Sequence, residues 1–479
     1  MAQAVSAMNP SIYAWLSQLL ALYSKDIYLV GGSVRDLVLG RTDIKDIDIL
    51  IPAGSDAVAR AFANKIGGSF FFLDETRCIS RVARHIEHEI IQFDFTNFEG
   101  PDLQTDLGRR DFTINAMALD LREFIASGSI RGLIDPYHGK RDVQDGLIRV
   151  VRPEVLDDDP LRLIRAVRFC ATLGFTIEES TEKDIRQRAK RIMGPSPERV
   201  RDELFLILSE KKADKHIFLL DSLGMFSSIL PELEPLRGFA PGMYHAHDVL
   251  THSIKTAGYV DCVLDELGML SPAYVGLVRN HLIGHLEHLV PRIAALRFAC
   301  LLHDMAKPAT FTDSDGHIRF HGHDNQGAEW ARLVCRRLRL SRNTEAVVSR
   351  VIKFHMRLFN LSIRGGPSKN AMYRYCRDME DALPESLILA QADALATYEI
   401  MPKERFTDTR KPMTALLEYY YTKFLKAEAA PLVTGNDLIR LGLAPGPRFR
   451  LILEEMKERQ IEGIVKNRQE ALDYLERLK

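Results

Sequence analysis

The sequence predicts a multidomain α/β plus all-α protein, with a mixed β-sheet domain first and helical domains after it. Three observations predict this. The chain has 479 residues, enough for about three domains at roughly 100–200 residues each. Over residues 1–135, short β-patterned runs alternate with helical ones. From about Asp157 the apolar spacing is helical through most of the remainder.

The elements follow in order. Ser11–Ser24 carries Leu16, Leu19, Leu20 and Tyr23 at helical spacing. Asp26–Val30 reads as a short strand ended by Gly31-Gly32, and Val34–Leu39 as a helix that stops at Gly40. Asp46–Ile51 alternates acidic and apolar residues, a strand pattern, and Ala57–Ile66 is helical. Ser69–Leu73, Cys78–Val82 and Ile90–Phe95 read as further strands. Helices are expected over Asp157–Glu210 and beyond, with breaks at Pro231–Gly242, Thr312–Gly316 and Gly365–Pro367. Thr434–Lys479 reads as a small terminal unit with a turn at Pro445–Pro447. The expected division is 1–135, 136–210, 211–430 and 431–479.

Composition narrows the class. Hydrophobic residues make up 46% and charged residues 27%, as in ordinary globular proteins. Lys+Arg (64) and Asp+Glu (65) nearly cancel, so an RNA partner would have to use a local basic stripe. Arg162, Arg165, Arg168, Arg186, Arg188, Lys190 and Arg191 offer one, and they read equally as a solvated helix face. Cys78, Cys170, Cys262, Cys300, Cys335 and Cys376 form no C-x-x-C pair, which points to reduced thiols. The N-terminus lacks a basic region followed by an apolar run, and no apolar stretch reaches the roughly 20 residues of a membrane helix. The expectation is a cytoplasmic protein with no membrane partner.

Asp46-Ile47-Asp48 is the first chemical signal. Alternate strand residues face the same side, so Asp46 and Asp48 project together. Paired carboxylates can hold Mg²⁺, which keeps waters and leaves room for phosphates. A bare D-x-D is also what a charged strand edge carries. Upstream, however, Gly31-Gly32-Ser33-Val34-Arg35-Asp36 lies between a strand and a helix. Glycines there let the backbone approach a phosphate, and the helix start supplies free N–H groups for a triphosphate.

Gly31–Asp48 resembles the signature of the nucleotidyltransferases that include the CCA-adding enzymes and bacterial poly(A) polymerases, class II. The resemblance implies a polymerase-β-like head in which Asp46 and Asp48 carry catalytic Mg²⁺. It also implies that Gly31, Gly32, Ser33, Arg35 and Asp36 organise the triphosphate. Asp94, on the strand Ile90–Phe95, matches a third acidic position and reads equally as a strand-surface residue. Arg109-Arg110-Asp111-Phe112-Thr113-Ile114-Asn115-Ala116 matches the second family motif. It implies nucleotide contacts by Arg110, Asp111 and Asn115, with Asp111 accepting from ribose hydroxyls.

Asp158-Asp159-Pro160-Leu161-Arg162-Leu163-Ile164-Arg165 resembles the segment that replaces a template in this family. Asp159 and Arg162, three apart, share a helix face. A carboxylate accepts from the exocyclic amine of C or A and is left unpaired by U or G. Asp followed by Pro is also a favourable helix start. With Arg165, Arg168 and Phe169 also matching, the resemblance assigns Asp159, Arg162, Arg165 and Arg168 to base selection in a helical neck. Pro197–Leu204 resembles a later family segment, structural or tRNA-facing.

The connection from Asp94 to Arg109 is short. Family members that add the full CCA carry a longer, flexible loop here, and a shortened loop is typical of members that add only CC. The expectation is therefore CC addition to a tRNA lacking all or part of its 3′ CCA. CTP is the substrate, ATP is left open, and a separate A-adding enzyme would complete the end.

His303-Asp304 follows the apolar run Ala294–Leu302, with His252 upstream and Asp393 downstream. The order resembles the HD phosphohydrolase pattern, with His252, His303, Asp304 and Asp393 as ligands. His323 and His355 match the additional histidines of members that bind a second metal. Mixed imidazole and carboxylate ligands suit Mn, Fe, Co, Ni or Zn, with Mg²⁺ also allowed. Such a metal would activate water against phosphate esters. His245 and His247 lie nearby without an assigned role. The tail around Thr434–Leu438 resembles the family's C-terminal region, which implies a tRNA contact. Two alternatives stay open: a poly(A) polymerase, and an RNA-binding metal-dependent phosphohydrolase.

Overall fold

A computed structural model describes residues 8–87, 89–240, 247–314, 317–363, 367–398 and 408–477. They pack as two compact units. The first runs to Pro195 and takes in Leu223–Met225; the second comprises Ser196–Ser222 and the chain from Phe226 onward.

The first unit is built on a seven-stranded mixed sheet: β1 Tyr28–Val30, β2 Asp46–Ile51, β3 Ser69–Asp74, β4 Ile79–Ile86, β5 Glu89–Asn97, β6 Ala118–Asp120 and β7 Leu133–Ile134. The order is β3-β4-β5-β2-β1-β6-β7. β2 and β5 pair in parallel, and the other neighbours pair antiparallel. Helices α1 (Pro10–Leu22), α2 (Gly31–Val38) and α3 (Ser55–Ile66) accompany it. Asn9 caps α1 by accepting from the Ser11 amide, and Pro10 suits the first turn.

Alternation along β2 and β5 separates core from site. Ile47 and Ile49 of β2 and Ile91, Phe93 and Phe95 of β5 are buried. Ile12, Leu16 and Leu19 of α1 and Ala59, Phe62 and Ala63 of α3 are buried at helical spacing. The Phe62 ring meets Phe93 at 5.1 Å and Phe95 at 5.6 Å between centroids, and Trp15 meets Phe93 edge-on at 6.1 Å. A second cluster gathers Val30, Leu50, Leu107, Ala116 and Ala118.

Two expectations need correction, a helix start and a strand bound, and one expected helix break holds a strand pair. The helix expected from Val34 begins at Gly31, so the two glycines that end β1 also form its first turn. Gly31 adopts φ +65°, a left-handed conformation that lets the chain pass from β1 directly into α2. The expected helix break at Thr312–Gly316 contains strand Thr312–Ser314, paired antiparallel with His317–Arg319. Cys78 sits at φ +52°, outside the strand that was expected to include it.

The second unit is mainly helical. Arg292–Leu302 is its central helix, with Ala294–Leu302 entirely buried, including Arg297. The Arg297 guanidinium donates to the Leu208 carbonyl at 2.7 Å and to Asp261 at 2.7 Å, so the buried charge is paired. Val249–Leu270, His323–Arg337, Arg342–Phe354 and Leu383–Tyr398 supply further helices. Toward the C-terminus, Val433, Leu438, Ile452, Met456, Val465, Ala471 and Leu475 form a core of their own. No described helix is long and apolar enough to cross a membrane.

Phe93 touches both Phe62 and Trp15, so Phe93→Ala should destabilise the first unit by about 3–5 kcal/mol. Urea unfolding followed through Trp15 fluorescence, in a Trp330→Phe background, checks this. An unchanged midpoint would mean that this aromatic cluster does not hold the sheet.

Candidate active site and metal cluster

The cleft of the first unit lies on the face of β2 and β5 opposite Ile47, Ile49, Phe93 and Phe95. Asp46 and Asp48 share that face, as the alternation requires. Asp94 is the register partner of Asp48 across the parallel pairing, and it joins them. The two oxygens of Asp94 are clamped by Arg81 of β4, through Nε and Nη2, each at 2.7 Å. Among the described residues no third ligand completes a tight cluster with Asp46 and Asp48.

The turn into α2 explains the glycines. A Cβ on Gly31 would stand 2.8 Å from the Asp48 Oδ2 atom and 3.0 Å from Arg110 Nη1, and φ +65° disfavours a side chain as well. This close approach lets the Gly32 amide donate to Asp48 Oδ2 at 3.0 Å. Ser33 is placed differently from expectation. It is buried and does not line the cleft; its hydroxyl donates to the Val30 carbonyl at 2.8 Å and accepts from the Asp48 amide at 3.3 Å. Its place is to hold β1, α2 and β2 together.

The remaining head residues named from the sequence all line one cleft of about 510 Å³. Arg35 donates to Asp36 through Nε at 3.0 Å and to Asn115 Oδ1 through Nη1 at 2.9 Å. Asn115 Nδ2 donates to Asp111 Oδ1 at 3.0 Å. Arg165 donates to Asp111 Oδ2 through Nε at 3.0 Å and Nη2 at 2.7 Å. Asp159 accepts from the Leu161 amide at 3.2 Å, so it also shapes the start of helix Leu161–Leu173. Arg162 donates to the Val155 carbonyl at 3.1 Å. The Phe169 ring carries the Arg168 guanidinium at 4.0 Å, with Arg35 at 5.4 Å and Arg165 at 5.6 Å. The basic stripe divides here. Arg162, Arg165 and Arg168 reach the cleft, whereas Arg186 pairs with Glu182, and Arg188 and Arg191 pair with Asp157.

Electrostatics separate the carboxylates. Burial pushes Asp48 up to about 6, with Asp94 and Asp46 adding to the rise and Arg110 and the Gly32 amide opposing it. Asp46 is also raised, mainly by burial. Burial pushes Asp111 upward too, but Arg165, Asn115, the Phe112 amide and Arg162 outweigh it and hold the carboxyl at about 2. Burial also lowers Arg162, against the pull of Asp111 and Asp159. Crowded carboxylates with raised values gain from a divalent cation, which relieves their repulsion.

The second unit gathers six potential ligands. His252, His303 and Asp393 form one group, and Asp304, His323 and His355 form another; all six are buried. His252 Nε2 lies 3.0 Å from Asp393, His303 Nε2 lies 3.2 Å from Asp304, and His323 and His355 face each other through Nε2 at 3.3 Å. The Nδ1 atoms of His303, His323 and His355 each meet a backbone carbonyl, of Cys300, Phe320 and Ile352, at 2.8, 2.8 and 2.6 Å. That contact orients Nε2 inward. His303 Nε2 and Asp304 Oδ1 are buried without a hydrogen-bond partner among the described residues. Burial opposes charge on His303, yet Asp304 and Asp393 push it up to about 10. Carboxylates that hold a proton so firmly offer the same field to a metal ion. The donor set therefore fits divalent metal. His247 belongs to neither group, and His245 lies outside the described residues.

Several contributors escaped the sequence reading. Asp106 is buried, accepts from the Glu99 amide at 2.9 Å and faces Arg110 at 3.4 Å. Its spacing of four from Arg110 was the available signal. Arg81 comes from another strand and left no local signal. Lys307 lies 2.6 Å from Asp304, three residues on from it.

The raised Asp48 value carries a stability consequence. The folded protein binds this proton more tightly than the unfolded chain, so stability falls as pH rises from about 4 to about 6. With divalent cation chelated, Asp48→Asn should raise the melting temperature at pH 7.5, with the gain shrinking toward pH 4. A lower melting temperature at pH 7.5 would contradict the assigned burial cost.

Comparisons with known proteins agree with the geometry. Residues 27–149 match the Poly A polymerase head domain, 174–236 the probable RNA and SrmB-binding site of polymerase A, and 249–398 the HD domain. An A-adding tRNA nucleotidyltransferase of Deinococcus radiodurans is 34% identical, over 94% of this chain and 94% of that relative. A CC-adding tRNA nucleotidyltransferase of Thermus thermophilus is 30% identical, over 94% and 93%. Among solved structures, an apo CCA-adding enzyme superposes with a TM-score of 0.62 at 22% identity, over 98% of this chain and 95% of that one. A Thermotoga maritima CCA-adding enzyme complexed with tRNA gives 0.59 at 22%, over 99% and 98%. The chain belongs to the tRNA nucleotidyltransferase family, that of the CCA-adding enzymes and bacterial poly(A) polymerases, and carries an HD domain after its head.

Proposed function

We propose that the head transfers CMP from CTP to the 3′ hydroxyl of a tRNA lacking its CCA, adding CC, in the cytoplasm. The observation that carries this reading is the single cleft in which Asp46 and Asp48 face Arg162, Arg165 and Arg168. Mg²⁺ held by Asp46 and Asp48 would activate the hydroxyl and neutralise the leaving pyrophosphate. Gly31 and Gly32 leave backbone room for the triphosphate, and Arg35 and Arg110 offer it charge. Asp159 and Arg162 would read the base edge, accepting from the amine and donating to ring acceptors. In this reading residues 1–135 catalyse, 136–210 select the base and bind RNA, 211–430 hold the HD metals, and 431–479 contact tRNA.

The limit to CC rests on the connection after β5. Between Asn97 and Arg109 the chain is short and built: Asp102 caps helix Leu103–Leu107 by accepting from the Thr105 amide, and Asp106 ties Glu99 to Arg110. That leaves no room for a long flexible loop in this connection. A separate A-adding enzyme would then complete the end. The 34% identity to an A-adding relative favours a second reading, addition of the terminal A from ATP.

For the HD domain we propose hydrolysis of terminal or cyclic phosphates on RNA 3′ ends. Mn, Fe, Co, Ni, Zn or Mg would bind the six ligands and supply an activated water. Lys307 would hold Asp304 in place.

Asp46→Ala combined with Asp48→Ala should abolish transfer, a loss on the order of 10³-fold or more, measured by labelled CMP incorporation. Retained transfer would sink the metal assignment. Arg162→Ala should raise misaddition of UMP more than it weakens tRNA binding, read by product sequencing and filter binding. His303→Ala with Asp304→Ala should remove phosphate release from 2′,3′-cyclic ends and leave CMP addition largely intact; release that persists would reject the HD assignment.

A further inference from the structure

We propose that Phe311 and Phe320 form a stacking platform beside the metal cluster of the HD domain, and that it takes the terminal base of the nucleoside phosphate hydrolysed there. This inference rests on the phosphohydrolase reading of that cluster.

Packing does not account for these rings. Strand Thr312–Ser314 pairs with His317–Arg319, and the register of Thr312 with Arg319 places Phe311 and Phe320 side by side at the open end of the hairpin. The described hairpin residues add nothing to the core: Thr312, Asp313, Ser314, His317 and Arg319 are exposed, and Ile318 is half-buried. Phe311 is 39% exposed, and Phe239 and Phe320 are half-buried. Aromatic surface left uncovered among polar residues is surface available to a ligand.

The rings form a row that ends at the cluster. Phe239 meets Phe311 edge-on at 5.8 Å between centroids, Phe311 meets Phe320 at 6.0 Å, and Phe320 meets the His323 ring at 6.5 Å. Backbone contacts tie both ends of the row to ligand-bearing helices. The Phe239 carbonyl accepts from the Val249 amide at 3.0 Å, at the start of the helix that carries His252. The Phe320 carbonyl meets His323 Nδ1 at 2.8 Å. Lys307 Nζ lies 5.5 Å from the centre of the Phe320 ring and 2.6 Å from Asp304. A single nucleotide would thus have rings for its base at one end and ligands and a cation for its phosphate at the other. Every nucleobase has a π face, so stacking accepts any base and still rejects a phosphate ester that lacks one. That suits an RNA end of unspecified sequence.

The test compares kcat/KM for adenosine 2′,3′-cyclic phosphate and for its base-free analogue, methyl riboside 2′,3′-cyclic phosphate, with whichever of Mn²⁺, Co²⁺, Ni²⁺, Zn²⁺ or Mg²⁺ gives the highest wild-type rate. In both esters water adds across one P–O bond and leaves a monoester and a free hydroxyl. The wild-type protein should prefer the adenosine ester by about thirtyfold, and Phe311→Leu and Phe320→Leu should each cut that preference by about fivefold or more. Hydrolysis of the base-free ester should stay within about twofold in these variants, and Phe311→Trp should keep the preference. A dinucleotide with the same cyclic end separates the sources: kcat/KM at or above that of the mononucleotide assigns the platform to RNA ends, and a value about tenfold lower assigns it to free nucleotides. Binding is read without hydrolysis. The chain has two tryptophans, so Phe311→Trp with Trp15→Phe and Trp330→Phe leaves one indole, at the platform. In metal-free protein the adenosine ester should quench its fluorescence, and the base-free ester should not. If the wild-type protein hydrolyses neither ester, the phosphohydrolase reading fails and the quench alone decides the platform. Equal kcat/KM for the two esters, equal losses on both in the Leu variants, or an unquenched indole would overturn the proposal.

Discussion

The register of β2 is the constraint on which the cleft depends. Ile47 and Ile49 are drawn into the core, on the sheet face that carries Phe93 and Phe95 of β5. Asp46 and Asp48 are thereby committed to the other face. A slip of one residue would bury both carboxylates and expose the isoleucines. The hydrophobic effect on one face of the sheet thus sets the chemistry on the other. The parallel pairing with β5 extends the arrangement by placing Asp94 beside Asp48. Gly31 completes it, since any side chain there would collide with Asp48 and Arg110.

Charge is distributed across the cleft with a division of labour. Asp46 and Asp48 are raised first by burial and then by neighbouring carboxylates, Asp94 beside both, a setting that a cation would relieve. Asp111 is held at about 2 by the cations around it and is already satisfied. Similar side chains in one pocket therefore stand in opposite electrostatic settings. Phe169 gathers the guanidinium groups of Arg35, Arg165 and Arg168 around one ring, while Asp36 pairs with Arg35 and Asp111 with Arg165.

Much of this was legible in the sequence because it is written locally. The alternation of Asp46–Ile51 and the glycine pair each lie within a few residues, whereas Asp159, expected on one helix face with Arg162, is extended and precedes the helix Leu161–Leu173. The six candidate metal ligands of the HD domain were also legible, although they span His252 to Asp393, because each sits in a short recognisable setting. What escaped was non-local. Arg81 reaches Asp94 from the neighbouring strand, and Asp106 supports Arg110 from a short helix whose capping is visible only in three dimensions. Ser33 was misassigned because sequence adjacency to the glycines says nothing about direction; its hydroxyl turns inward to Val30. The helix start moved from Val34 to Gly31 because a left-handed glycine can join strand and helix without a loop.

The central claim is that this cleft extends tRNA by CC and stops. Its most direct test is incubation of the purified protein and Mg²⁺ with a tRNA lacking its 3′ CCA, with CTP alone, ATP alone or both, and products resolved at single-nucleotide length. The account predicts two additions with CTP and none beyond when ATP is present. A third addition with ATP, a single A on tRNA already ending in CC, or a long A tract would contradict it.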